Sequence, residues 1–289
     1  MDFHWVDVFA TGPLSGNPLV VATADAMPTA GRMQALAAEF GVSETVFAEP
    51  GASPRLRIFT PTAEIPMAGH PLVGAAWVLR RIGWTGDDAV LSAPGGQVAV
   101  AADDQGARMT RPNPVAHGQA DAHAIARLLG ADAMGDAPIW HAGLPQAMLE
   151  VRDLDALAPD HDALRARGTD EGWAGVSAYV LRTDGPVHAD GDEQPLVAEV
   201  RHFAAPIGIP EDPVTGSAAA ALGACLAGRG MLGSGPRGRL TVMQGHRMGR
   251  PGRVDVVVDI GLDGPTAVTV GGAVVPVVTG AIGPGGPAG

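Results

Sequence analysis

The sequence predicts an α+β fold of two pseudo-symmetric lobes, each an antiparallel sheet curled around a central helix. Three observations predict it. Short strand-like runs separated by Gly/Pro turns recur along the chain, which favours antiparallel pairing. Two segments, Leu72 to Ile82 and Ala218 to Leu226, are apolar nearly all round, and helices of that kind are buried rather than laid on a surface. Two stretches also repeat one pattern. Arg57-Ile58-Phe59 precedes Met67-Ala68-Gly69-His70-Pro71, and Arg201-His202-Phe203 precedes Glu211-Asp212-Pro213-Val214-Thr215-Gly216-Ser217.

The elements follow in order. Phe3 to Phe9 is rich in aromatic and β-branched residues and opens the chain as a strand. Further strands are expected at Pro18 to Ala22, Arg55 to Thr60, Ala89 to Ser92, Gln97 to Ala101, Ala147 to Val151, Val176 to Arg182, Val197 to Phe203, Leu240 to Met243, Val254 to Ile260 and Ala267 to Val270. Met33, Leu36, Ala37 and Phe40 form a helical stripe that Gly41 can cap. Asp104-Gln105-Gly106 reads as a turn and Gly249-Arg250-Pro251-Gly252 as a hairpin turn. The proline-bearing stretch Arg111 to Gly118 reads as a linker, followed by a surface helix from about Ala122 to Leu129. This places one lobe at residues 1–116 and the other at 117–289, with the final strand able to return to the first lobe. The terminal Gly283 to Gly289 holds no side chain able to anchor it and is expected to be disordered.

Composition narrows the function. The 289 residues allow one large domain or two ordinary ones, and 46% hydrophobic content allows a sizeable core. A net charge of −12 argues against nucleic acid or an anionic membrane surface as partner. No apolar run approaches the roughly 20 residues that span a bilayer, and the acidic N-terminus does not read as a signal peptide. Cys225 stands alone and reads as a small buried hydrophobe, so the plain expectation is a cytoplasmic protein without disulfides. The sequence contains no lysine, which excludes Schiff-base chemistry and a Walker-type phosphate loop. The nine histidines show no metal-ligand spacing, so no metal is expected.

Several residues could carry chemistry. Glu44, if it lies on a strand, shares a face with Val42 and Val46; a carboxylate on an apolar face has a raised pKa and suits a general base. The plainer alternative leaves that face in solvent and turns Phe47 inward. His70, between Gly69 and Pro71, is a cleft-facing polar group or a simple N-cap. Asp212 before a proline is a catalytic carboxylate or an Asx-turn, and Ser217 after Gly216 is part of an anion-cradling turn or a helix cap. Each helix start offers free backbone N–H groups, which favour a bound anion such as a substrate carboxylate.

These residues, with Asp7-Val8-Phe9, Ser15-Gly16-Asn17-Pro18, Ser43-Glu44-Thr45, Phe59-Thr60-Pro61, Gln244-Gly245 and Met248-Gly249-Arg250-Pro251, resemble the PhzF-like isomerases of phenazine biosynthesis, a branch of the diaminopimelate-epimerase superfamily. The resemblance implies a homodimer, an active site between the lobes and no cofactor. It implies isomerisation of trans-2,3-dihydro-3-hydroxyanthranilate, with Glu44 moving a proton between ring carbons. His70, Asp212 and Ser217 would hold the substrate and help shuttle protons, and Gly69, Gly216 and Asn17 would contact it. The superfamily's paired catalytic cysteines match Ala68 and Thr215 here, in keeping with the branch that lost the thiols. An amino-acid epimerase or racemase using Glu44 and Asp212 as opposed bases is the alternative; a non-catalytic small-molecule binding protein is a third reading.

Overall fold

The computed structural model describes residues 1–182, 195–233 and 235–283. The chain folds into two compact units, one of Met1–Met109 and the segment from Gly271 onward, the other of Thr110–Val270. The tail expected to be disordered lies, beyond Gly283, outside the described residues.

The first unit begins with β1 (Asp2–Val8) and β2 (Asn17–Thr23), then α1 (Ala30–Phe40), β3 (Glu44–Glu49), β4 (Arg55–Phe59), β5 (Glu64–Ile65), α2 (Gly69–Arg81), β6 (Asp88–Ala93), β7 (Gly96–Ala102) and the start of β8 (Gly106–Pro112), whose residues from Thr110 belong to the second. The second holds β9 (Val115–Ala120), α3 (Ala122–Leu129), β10 (Ala137–His141), β11 (Pro145–Glu150), α4 (His161–Glu171), β12 (Gly175–Arg182), β13 (Leu196–Ala204), β14 (Ile209–Asp212), α5 (Gly216–Gly228), β15 (Arg237–Gln244) and β16 (Gly252–Gly261). The last strand, β17 (Gly264–Ala281), ends in the first unit, where it pairs with β1 from Val8↔Val274 to Asp2↔Ala281.

The sheets are mixed rather than purely antiparallel, and this corrects the sequence expectation. In the first unit β2 runs parallel to β3, β3 antiparallel to β4, β4 antiparallel to β5 and parallel to β6, and β6 antiparallel to β7. The second unit uses the same succession: β11 parallel to β12, β12 antiparallel to β13, β13 antiparallel to β14 and parallel to β15, and β15 antiparallel to β16. Alternation along one strand cannot reveal the direction of its neighbour, so the parallel pairs were invisible in the sequence.

The repeated stretches build the same local device. In the first unit Arg57 forms a two-pronged pair with Glu64 on the neighbouring strand, and its guanidinium sits 5.2 Å from the centre of the Phe59 ring. In the second, Arg201 pairs through Nε and Nη2 with Glu211 at 2.9 and 2.8 Å and lies 5.0 Å from the Phe203 ring centre. Each device ends in an extended N-cap residue, Ala68 or Thr215, and then a buried helix.

Both central helices are buried as expected: α2 from His70 through Leu79, and α5 at Gly216 and from Ala218 through Ala227. Each begins earlier than its apolar run, because Gly-His-Pro and Gly-Ser supply the first turn. Helix α1 matches its stripe and closes on Gly41 in the left-handed region, while α3 matches its predicted span. Strand β17 is far longer than the four residues expected, and β3, β5, β8, β9, β10, β14 and α4 had no strand or helix assigned to them. The stretch read as a linker is largely strand, as the end of β8 and the start of β9. Helix α4 escaped notice because its sequence is mostly polar; only Leu164 and Gly168 are buried. Asp103 makes the turn at Asp104-Gln105-Gly106 by accepting from the Gln105 and Gly106 amides. Between β15 and β16 the chain makes a 3-10 turn at His246–Met248 that closes on Gly249.

Candidate active site

The first unit gathers Glu44, His70, Gly69 and Asn17. Glu44 is the first residue of β3, in register with Leu19 of β2, and is 7% exposed. The face bearing Glu44 could have met solvent with Phe47 turned inward, but β3 is buried on both faces: Val46 and Phe47 are each sealed from solvent. Burial pushes the Glu44 carboxyl above the usual carboxylate range, with the Ser43 hydroxyl acting weakly in the opposite direction. Ser43 also donates to Asn17 Oδ1 at 3.2 Å, which ties the start of β3 to the start of β2.

His70 is the second residue of α2 and is equally buried. Its Nε2 lies 3.3 Å from Glu44 Oε2 without the angle of a hydrogen bond. Ala68 offers no side-chain cap, so the first N–H groups of α2 have no acceptor from their own N-cap side chain. A buried acid, an imidazole within reach and a helix N-terminus therefore meet at one place. A carboxyl whose pKa is raised by burial holds a proton more readily than an exposed one, which suits proton transfer.

The second unit gathers Asp212, Gly216 and Ser217 at the turn from β14 into α5. Asp212 ends β14, opposite His202 of β13, and is 7% exposed. It accepts a short hydrogen bond from the Thr215 hydroxyl. Gly216 and Ser217 are the first two residues of α5, with Gly216 buried and Ser217 half-buried. Asp212 is held through two groups: its carboxylate accepts from the Thr215 hydroxyl, and its carbonyl accepts from Gln244 Nε2 at 2.8 Å.

Two further features were not marked as candidates by their local sequence. One is the Gln244 carboxamide, which appeared only as part of a motif. The other is a buried pair, Ser177 Oγ and His202 Nδ1 at 2.9 Å, whose imidazole is pushed down to about 4 by burial. Only the Arg-His-Phe echo pointed toward His202. Cys225 is fully buried and its thiol is pushed up to about 11 by burial, so it is poorly suited to act as a nucleophile. Among the described residues no three His, Cys, Asp or Glu side chains are grouped to hold a metal ion. No helix among them is long and apolar enough to cross a membrane.

The chain is similar to known proteins over most of its length. The family model described as phenazine biosynthesis-like protein, PhzC-PhzF, matches residues 6–280. The chain is 33% identical to the uncharacterized isomerase YddE of Escherichia coli O157:H7 over 94% of its own length and 95% of that protein. It is 32% identical to trans-2,3-dihydro-3-hydroxyanthranilate isomerase of Pseudomonas fluorescens, covering 85% of this chain and 86% of that one. Among solved structures, a Bacillus anthracis phenazine biosynthesis protein of the PhzF family superposes with a TM-score of 0.82 at 25% identity, over 96% of this chain and 97% of that one. With a family model matching nearly the whole chain and relatives named as isomerases, the protein belongs to the PhzC-PhzF family and is a PhzF-like isomerase.

Proposed function

We propose that this isomerase works without a cofactor, moving a proton within a small carboxylated cyclic substrate, and that trans-2,3-dihydro-3-hydroxyanthranilate is its most specific candidate. The observation that carries the reading is Glu44: a buried carboxyl with a raised pKa, 3.3 Å from the His70 imidazole. Moving a proton between two carbons of a conjugated ring needs one group that removes the proton and returns it. Positioned proton transfer of this kind contributes roughly 10²–10⁴-fold. Glu44 is that group. His70, Asp212 and Ser217 hold the substrate and help move its protons. Gly69, Gly216 and Asn17 contact it, with helix-start N–H groups suited to its carboxylate. The repeated strand succession supports reading the units as pseudo-symmetric lobes. The family resemblance supports a homodimer, and the single cysteine supports a cytoplasmic location.

Incubation of the purified protein with trans-2,3-dihydro-3-hydroxyanthranilate in deuterated buffer tests the reading. The expected result is an absorbance change, with deuterium appearing at a ring carbon. No turnover removes this substrate and leaves the class. Exchange of the α-proton of an amino acid would instead favour the epimerase reading, in which Glu44 and Asp212 act as opposed bases. A protein that only binds small molecules has no need to bury Glu44 in a form that favours protonation, and a Glu44→Gln variant with undiminished turnover would remove that residue from the mechanism.

A further inference from the structure

Thr215 stands at the N-cap of α5, where a threonine ordinarily accepts a hydrogen bond from a backbone N–H one turn in. Here it makes no such bond. Its hydroxyl is engaged instead by two side chains. It donates to Asp212 Oδ2, and it receives Gln244 Nε2 at 3.1 Å. Gln244, the last residue of β15, is 1% exposed and bonded at both ends of its carboxamide. Nε2 also donates to the Asp212 carbonyl at 2.8 Å, and Oε1 accepts the Thr215 amide at 3.2 Å.

The bonding leaves one orientation. A peptide carbonyl only accepts and a peptide N–H only donates, so the Asp212 carbonyl and the Thr215 amide fix which end of the Gln244 carboxamide is nitrogen. That nitrogen then meets the Thr215 oxygen as a donor. The hydroxyl has a single proton, and with its oxygen accepting from Gln244 the proton is directed to Asp212 Oδ2. At the start of α2 the corresponding residue is Ala68, which has no hydroxyl to play this part.

We propose that Thr215 and Gln244 are positioning residues that hold the Asp212 carboxylate in one orientation: Gln244 sets the direction of the Thr215 hydroxyl, and the hydroxyl fixes Asp212. The proposal rests on Asp212 as a site residue of the function proposed above. Sites of this kind depend on supporting hydrogen bonds to keep a working group within fractions of an ångström.

Crystal structures of ligand-free Thr215→Val and Gln244→Leu proteins test it without reference to any substrate. The expected result is an Asp212 carboxylate turned away from its original orientation in both, with the backbone of β14 and α5 in place, and an undisturbed carboxylate in Thr215→Ser. An unmoved carboxylate in the valine and leucine proteins overturns the proposal. Should Thr215→Val not fold, Gln244→Leu and Thr215→Ser carry the same comparison. Turnover of trans-2,3-dihydro-3-hydroxyanthranilate supplies a second readout. A misplaced group costs on the order of 10²-fold, so kcat should fall by about that factor in Thr215→Val and Gln244→Leu, with KM little changed and most activity kept in Thr215→Ser. Wild-type kcat in Thr215→Val overturns the proposal. A wild-type protein that does not turn over this compound removes the substrate assignment, and the crystal structures alone then decide on Thr215 and Gln244.

Discussion

Glu44 Oε2 and His70 Nε2 face each other at 3.3 Å, both on buried side chains. An ionised carboxylate here has lost most of its water and gains no well-aligned hydrogen bond from the imidazole in return. Burial raises the carboxyl pKa for that reason.

Replacing Glu44 by glutamine should therefore act in opposite directions on activity and stability. Turnover should fall by roughly 10²–10⁴-fold, the usual range for loss of a positioned proton-transfer group. Stability should rise at pH 8. A carboxyl whose folded pKa lies above the unfolded value contributes its full stability below the unfolded pKa and loses it as pH rises through the folded one. The variant has no charge to bury and escapes that loss. Thermal melts of both proteins at pH 5 and pH 8 check this; an advantage for Glu44→Gln at pH 5 that vanishes at pH 8 would contradict it.

His202 predicts an acid-side instability. Its folded pKa is lowered to about 4 by burial, against the ordinary imidazole value of 6.5. Above pH 6.5 both folded and unfolded chains carry it neutral. Between pH 6.5 and 4 the unfolded chain takes up the proton first, so stability declines by up to about 3 kcal/mol. A His202→Gln protein should show a shallower decline over that window in urea titrations. Equal slopes for the two proteins would show that the acid loss comes from other groups.

The central helices approach their sheets at glycines. A Cβ on Gly74 of α2 would lie 2.8 Å from Val8 Cγ2 and closer still to Leu19, and one on Gly223 of α5 would lie 2.7 Å from Val256 Cγ1. Alanine at either position should cost about 1–3 kcal/mol, the usual range for overpacking, although alanine alone would favour the helix. Denaturant midpoints measure it, and an unchanged midpoint for both would mean the helices have room to shift.

The twin arginine devices should differ in weight. The Arg201 and Glu211 side chains are 12% and 18% exposed, and Arg201 Nη1 also donates to the carbonyls of Leu154 and Leu157. Arg57 and Glu64 are 28% and 32% exposed. Arg201→Met leaves a partly buried carboxylate and two carbonyls short of a donor, and should cost about 2–3 kcal/mol. Arg57→Met should cost under about 1 kcal/mol. Equal losses in the two variants would refute the ranking by burial.

Much of this protein was legible in its sequence. The buried helices showed as apolar runs, most of the long strands as alternating or β-branched runs, and the duplicated device as a repeated Arg-x-Phe followed by a glycine-led helix. These features are local, and local patterns constrain local conformation. Glu44, His70, Asp212 and Ser217 could be named as candidates because polar residues beside glycine and proline at helix starts are conspicuous. Their surroundings could not be read. Whether the face of β3 bearing Glu44 met solvent or protein depended on what covers it, and both faces proved covered. The pairing of β2 with β3 and of β13 with β15 joins segments whose direction no alternation reports. Gln244 lies 29 residues from Thr215 and 32 from Asp212, and its role arises only where β15 ends beside the first turn of α5. The sequence by itself determined the family, the central helices and the stock of reactive groups. The tertiary structure decided which of those groups lose their water and which hydrogen-bond partners they meet, because desolvation and bond direction depend on neighbours distant along the chain.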